Sequence, residues 1–234
     1  MAFLAALSAL IPGFAWLYFY LKEDSHPEPK LLIAKTFIAG GACAFIALAA
    51  QLALQKVGFS FDVVQGAYGA TLRLVITIFI FSLIEELVKF GAAYVSVHND
   101  PAFQEPIDAM IYTIVAALGF ATVENIGAVQ QNIGGATQAQ FLGLVFQTLT
   151  LRFVGATLLH SLSSGLIGYY WALSVRSFRS NYILVWGILL GSGLHAVFNY
   201  LILSYGNLMY AVGFVVVMGI SVLGDFEKLK LKPI

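Results

Sequence analysis

Residues 68–97 read YGATLRLVITIFIFSLIEELVKFGAAYVSV, and this stretch decides the fold. A spanning helix needs about 20 apolar residues. The run from Tyr68 to Val97 is long enough to cross a bilayer with a tilt, or to project past it. Yet Glu85, Glu86 and Lys89 stand midway along it. An ionisable side chain at that depth costs about 2.5–3.5 kcal/mol on insertion scales. A chain that places three of them there is a membrane protein with polar work inside its bundle, or one that neutralises them internally.

The rest of the chain agrees with a membrane setting. Of 234 residues, 60% are hydrophobic and 10% charged, and the mean hydropathy is +0.88. Soluble domains carry about 25% charged residues, so the apolar excess is too large for a soluble core. Formal net charge is zero and no basic stripe exists, so nucleic acid is not an implied partner. The single cysteine, Cys43, rules out a disulfide within the chain and reads as a small buried hydrophobe. The N-terminal run lacks a positive leading segment and a clear cleavage site, so it reads as a retained helix.

Working outward from 68–97, the apolar runs predict about seven spans. They are Phe3 to Leu21, Leu31 to Gln55, Tyr68 to Val97, Ile107 to Val129, one from about Leu151 to Trp171, Tyr182 to Ser204, and Leu208 to Leu223. Residues 141–150 are expected as a short interfacial start to the fifth span. Prolines and polar residues separate the spans at 22–30, 56–65, 98–106, 130–140 and 176–181. The expected fold is therefore an all-α polytopic transmembrane helix bundle. It forms a single domain over 1–234, with the motif-bearing core at about 68–204. Lys22, Lys30 and Lys35, then Arg176 and Arg179, then Lys228, Lys230 and Lys232 make eight of the twelve basic residues. Seven spans put all three groups on one side, which positive-inside reasoning assigns to the cytoplasm, with the N-terminus outside. No internal repeat of the inverted-transporter kind is evident.

Four polar places interrupt the spans. Lys89 is i+4 from Glu85 and i+3 from Glu86, a spacing that lets it pair with either. One reading is a self-neutralised pair. The other notes that two carboxylates exceed the one charge Lys89 balances, and an unbalanced carboxylate suits general acid–base work. Glu124 has no Lys or Arg within one turn, so it is protonated, paired across helices or bound to a metal. His160 lies among Ser161, Ser163 and Ser164, where a hydroxyl-bonded core histidine is the plainer reading. His195 and Asn199, at i and i+4, share a face, and Gly187, Gly191 and Gly193 before them allow close helix approach. The four places fall at one depth of the bilayer. Two histidines and a carboxylate converging there form a zinc-like donor set, and a further carboxylate beside it is equipment for activating water. His26 and His98, in turns beside prolines, carry no assigned role.

The ordered set resembles the PrsW family of intramembrane metalloproteases. EELVK at Glu85–Lys89 looks like EExxK, FATVE at Phe120–Glu124 like FxxxE, and HAVFN at His195–Asn199 like the closing HxxxD or HxxxN. Asp108 to Tyr112, Gly119, Asn125, Arg152, His160 and the Pro27-Glu28-Pro29 turn add to it, over Tyr18 to Tyr200. The CAAX prenyl endopeptidases and Abi-type proteases are more distantly similar. They carry EExxxR and FxxxH, where this chain has Lys89 and Glu124, so a prenylated substrate is not implied. The resemblance implies a plasma-membrane protease of prokaryotic type that cleaves single-span membrane proteins, anti-sigma-factor-type regulators among them. It also implies a divalent metal, zinc above all, held by Glu124, His160 and His195 or by two of these with Glu86. Glu85 or Glu86 then acts as base, Lys89 tunes the pair, and Asn199 serves the oxyanion. Phe120, Asn125 and Arg152 support them. The bilayer is the other partner, and no oligomeric state is implied. Two further readings use the same residues: a proton-coupled transporter or channel, which predicts pH-dependent flux, and a non-catalytic scaffold, which predicts binding without cleavage.

Overall fold

The structure is a computed structural model that describes residues 2–23, 26–59, 68–176, 180–205 and 208–230. Arg179 and Lys232 of the charge pattern, and 60–65 of the turn after the second span, lie outside these residues. Among the described residues there is no strand; the bundle is all-α.

The helices in chain order are α1 (Ala2–Ser8), α2 (Ile11–Leu21), α3 (Lys30–Lys56), α4 (Tyr68–Val97) and α5 (Pro106–Ile133). They continue with α6 (Gln138–Leu151), a π-helical turn (Arg152–Thr157), α7 (Leu158–Arg176), α8 (Asn181–Tyr205) and α9 (Leu208–Lys230). Among the described residues, six stretches are long and apolar enough to cross a membrane: Ala2–Leu21, Lys30–Lys56, Pro106–Ile133, Gln138–Arg176, Asn181–Tyr205 and Met209–Leu229. α4, at 30 residues, matches them in length, and the charges of Glu85, Glu86 and Lys89 are what set its composition apart. It packs against α3, α5, α7 and α8, inside the same bundle.

Local chemistry explains the boundaries. Pro106 opens α5, and a reciprocal box joins Glu105 and Asp108, whose Oδ2 accepts the backbone N–H groups of Gln104 and Glu105 at 2.8 and 2.7 Å. Thr137 and Gln140 make the same box for α6. Three segments differ from the sequence reading. The first run is broken by a turn at Ala9–Leu10. The stretch from Gln138 continues through the π-helical turn into α7, with no proline to stop it, so the fifth span has no separate interfacial start. α9 continues through the charged tail to Lys230, helped by the Lys228–Asp225 pair at 2.6 Å and by burial of Phe226 and Leu229.

α5 is the axis. The apolar window of α5 is 89% buried within the bundle, against 22–33% for the other five spans. It contacts α1, α2, α3, α4, α6, α7 and α9. Small residues permit this. A Cβ on Gly40 of α3 would lie 2.0 Å from the Ala116 carbonyl oxygen, and one on Gly119 of α5 would lie 2.0 Å from that of Phe37. Backbones this close gain packing that lipid cannot supply. Gly187 and Gly191 do the same for α8 against α7, meeting Tyr170 and Ile167, whereas Gly193 faces open space.

The ends also align. Lys35 Nζ donates to the Ser96 carbonyl at 3.2 Å, Trp171 stacks on Phe103, and Lys228 lies over the Tyr169 ring. The start of α3, the end of α4, the end of α7 and the end of α9 therefore share one end of the bundle.

Candidate metal centre

Glu86 is the fixed point of the site. It is fully buried, and both oxygens are used. Oε1 accepts from Lys89 Nζ at 2.5 Å, from Ser163 Oγ at 2.8 Å and from His195 Nδ1 at 2.8 Å. Oε2 accepts from Ser164 Oγ at 2.7 Å. Four partners on three helices explain why a carboxylate can be buried here at all.

Lys89 is equally buried, and its second contact is His160 Nδ1 at 3.0 Å. An ammonium has only donors, so Nδ1 of His160 accepts. The proton of a neutral His160 is then on Nε2, which donates to Glu124 Oε2 at 2.8 Å. The same Glu124 oxygen accepts from Arg152 Nη2 at 2.9 Å. Arg152 Nε also donates to Asn125 Oδ1, and Asn125 Nδ2 donates to Thr157 Oγ1 at 3.1 Å. The π-helical turn thus carries two of the groups that hold α5 to the site. Such turns recur at functional sites.

On the other flank, His195 gives its Nδ1 proton to Glu86, leaving the Nε2 lone pair exposed to the site. Nε2 lies 3.5 Å from Glu85 Oε2. Glu85 Oε1 is held by Gln51 Nε2 at 2.9 Å, but the buried Oε2 has no hydrogen-bond partner among the described residues. Two acceptors therefore face each other in a buried place. A cation between them, a proton or a metal ion, makes that arrangement favourable, as does a water donating to both. The two histidine rings stand edge to face, 86° apart with centroids at 4.9 Å. Glu85, His160 and His195 can each offer a ligand atom within 4.8 Å of the others, His160 through Nε2 once that nitrogen gives up its proton and its bond to Glu124 opens. Two imidazoles and a carboxylate are a known donor set for zinc with a further position open to water. The residues present fit a divalent cation.

Charge points the same way. Glu85, Glu86 and Glu124 face Lys89 and Arg152, three carboxyl groups against two fixed cations, with His160 and His195 between them. The cluster has room for added positive charge.

The candidate catalytic and metal-binding residues of the sequence meet here, though not in one arrangement. His160, His195, Glu85, Glu86, Glu124 and Lys89 form one connected network. Phe120 covers it, with Lys89 Nζ 5.1 Å from its ring centre and the His160 ring at 5.5 Å. Asn199 is one turn along from His195, its Nδ2 donating to Ser82 Oγ at 3.4 Å. Glu85, rather than Glu124, is the carboxylate grouped with the two histidines. Ser163 and Ser164 bond Glu86, and Ser161 pairs with Tyr20, so none of the three hydroxyls is the expected partner of the His160 ring. Gln51 was missed; an amide following fourteen residues free of charged or amide side chains, from Phe37 to Ala50, is the signal that identifies it.

Fold and site together define a class: a helical membrane protein with a buried histidine–glutamate centre suited to a divalent cation. Comparison with known proteins narrows it. The family described as PrsW family intramembrane metalloprotease matches residues 28–223. Protease PrsW of Geobacillus kaustophilus is 28% identical over 208 residues, covering 88% of this chain and 83% of that protein. Protease PrsW of Bacillus subtilis is 26% identical over 214 residues, 88% and 86% of the two chains. That of Clostridioides difficile is 26% identical over 206 residues, 86% and 79%. No solved structure matches. The chain belongs to the PrsW family of intramembrane metalloproteases, and it is an integral membrane protein of the plasma membrane.

Proposed function

We propose that this protein hydrolyses peptide bonds of single-span membrane proteins, with Glu85, His160 and His195 holding a zinc ion and Glu124 moving the proton. The observation that carries this reading is the unpartnered Glu85 Oε2, buried 3.5 Å from the free ring nitrogen of His195 and grouped with His160. Family membership supports the reaction class.

A zinc ion held there supplies Lewis-acid activation of water and of the scissile carbonyl. The chain's own residues do the rest. Glu86 orients His195 through Nδ1, and Lys89 orients His160 through its Nδ1. Such outer contacts fix the ring that faces a metal. Glu124, kept in place by Arg152 and one-third exposed, accepts the proton of the attacking water. It then returns that proton to the leaving amine nitrogen, and the second water proton stays with the new carboxyl group, so the products are a carboxylic acid and an amine. Asn199 Nδ2 leaves Ser82 to donate to the developing oxyanion. This assignment exchanges the sequence-based roles of Glu85 and Glu124.

Substrates are single-span proteins, with anti-sigma-factor-type regulators the class the family resemblance implies. The N-terminus is outside and the C-terminus cytoplasmic, on the positive-inside count. The test is cleavage of single-span proteins in proteoliposomes by wild type, Glu85→Gln and Glu124→Gln, with and without a zinc chelator, alongside metal analysis. Cleavage lost with both variants and with chelator, and zinc lost only from Glu85→Gln, is the expected pattern. Full activity in a metal-free preparation would overturn the zinc assignment.

A further inference from the structure

The π-helical turn at Arg152–Thr157 changes which residues share a face. In an unbroken α-helix each residue turns the chain by about 100°, so Arg152 and His160 would point about 80° apart. A π turn takes up one extra residue, which brings the pair to within about 20° of each other. Both side chains then reach one oxygen, Glu124 Oε2, Arg152 at 2.9 Å and His160 at 2.8 Å. When His160 serves an ion, Arg152 is the hydrogen-bond partner that Glu124 keeps among the described residues.

The wider turn disturbs its own backbone bonding. A five-residue repeat would bring the Leu158 N–H to the Phe153 carbonyl, yet that N–H donates to the Gly155 carbonyl. Inside a bilayer no water takes up a carbonyl released in this way. Trp16 of α2 does so. Its Nε1 donates to the Phe153 oxygen at 2.9 Å, and its ring stacks on the Phe153 ring with centroids 5.1 Å apart. Tyr20, one turn along on the same face of α2, fastens the far end of the stretch. The Ser161 proton goes to the Leu158 carbonyl at 2.7 Å, so the Tyr20 hydroxyl donates to Ser161 Oγ at 3.1 Å. α2 is itself seated closely on α5: a Cβ on Gly13 would lie 2.3 Å from Thr122 Oγ1.

We infer that Trp16 is a positioning residue whose indole N–H holds the π-helical turn open and thereby keeps Arg152 on Glu124. The inference rests on the proton-carrying role given above to Glu124. It adds a residue of α2, a helix that precedes the matched residues 28–223. Without the indole donor the Phe153 carbonyl takes the N–H four residues on, as in an ordinary α-helix. The extra residue then leaves the turn, and Arg152 swings about 100° away from His160 and from their shared oxygen.

The test places benzothienylalanine at position 16, which has sulfur where indole has its N–H and keeps the shape that stacks on Phe153. Tryptophan inserted at the same codon is the control, and Trp16→Phe is a second variant without the donor. In protein labelled with 15N-arginine, the Arg152 Nε–Hε NMR signal, assigned by its loss in Arg152→Lys, reads the guanidinium bonding directly. Turnover is measured on anti-sigma-factor-type single-span proteins, reconstituted one at a time in phosphatidylethanolamine–phosphatidylglycerol vesicles. Both variants should move the Arg152 signal to the position of an unbonded guanidinium. They should lower kcat about tenfold, the ratio that loss of one well-made hydrogen bond produces, with KM and zinc content unchanged. In an Arg152→Lys background the same replacement should lower kcat no further, because both changes act on one contact. An unmoved Arg152 signal, or losses that add in the double variant, would overturn the inference and leave the protease intact. A moved signal in a protein whose wild type cleaves nothing supports the placement by Trp16 and overturns the proteolytic reading instead.

Discussion

Lys89 Nζ lies 3.0 Å from Nδ1 of His160, while the same ammonium holds Glu86 at 2.5 Å. One buried cation thus fixes a ligand candidate on α7 directly and another on α8, His195, through Glu86. Lys89→Met leaves Glu86 buried without its counter-charge. Breaking a buried pair in this way costs about 3–5 kcal/mol, so thermal unfolding in detergent should show a large fall in melting temperature. Lys89→Arg should restore little, because a planar guanidinium does not fit a fully enclosed point-charge site.

Glu86→Gln keeps the shape and removes the charge. His195 then has only a neutral amide oxygen, shared with Lys89 and Ser163, in place of the carboxylate that sets its ring orientation. Metal affinity should fall about 10–100-fold, the usual effect of losing such a partner. Competition titration against a fluorescent zinc chelator measures it; an unchanged affinity would mean that Glu86 serves folding alone.

Glu124→Gln and Glu85→Gln should part company. Under the proposed assignment Glu124→Gln retains metal and loses about 10²–10⁴-fold in turnover, the usual contribution of a positioned acid–base group. Glu85→Gln loses the metal itself. Metal analysis of the two purified variants separates them, and retention in Glu85→Gln with loss in Glu124→Gln would reverse the roles.

Zinc should stabilise the fold. A ligand present at 100 times its Kd adds about 2.7 kcal/mol to a protein that binds it only when folded. Wild type should therefore melt at a higher temperature with zinc than with chelator. His195→Ala should show no such difference.

The α3–α5 contact sets a separate limit. Gly40→Leu would force a Cβ to within 2.0 Å of the Ala116 carbonyl. Overpacking of this kind costs about 1–3 kcal/mol or more. Denaturation in mixed micelles should register it, with Gly193→Leu, which meets open space, as the neutral comparison.

Much of this was legible in the sequence because membrane burial makes polar residues conspicuous. Glu85, Glu86, Lys89, Glu124, His160 and His195 stand out against apolar runs, and they meet in one network. The pairing inside the network was not legible. Spacing along α4 shows that Lys89 reaches Glu86, but not that it also reaches His160 across the bundle. Nor does it show that Arg152 turns Glu124 outward while Gln51 draws Glu85 in. Those depend on helix rotation and approach, set by Gly40, Gly119 and Gly191. The continuity of α6 through the π-helical turn was hidden for a related reason. A wider turn leaves no compositional mark, and because 141–171 is longer than one span needs, its first residues read as an interfacial start rather than as part of one continuous helix.

The enclosure of α5 has a consequence for how the protein experiences its surroundings. With 89% of its window buried, α5 has almost no boundary with lipid, whereas the window of α3 is only 22% buried. Changes in bilayer thickness or headgroup composition act on the outer helices first and reach Asn125 only second-hand, while Glu124, one-third exposed, is the least enclosed carboxylate of the centre. Glu85, Glu86 and His195, on α4 and α8, are enclosed by protein. A thinner or thicker membrane should accordingly disturb the proton carried by Glu124 before it disturbs the groups that would hold the ion.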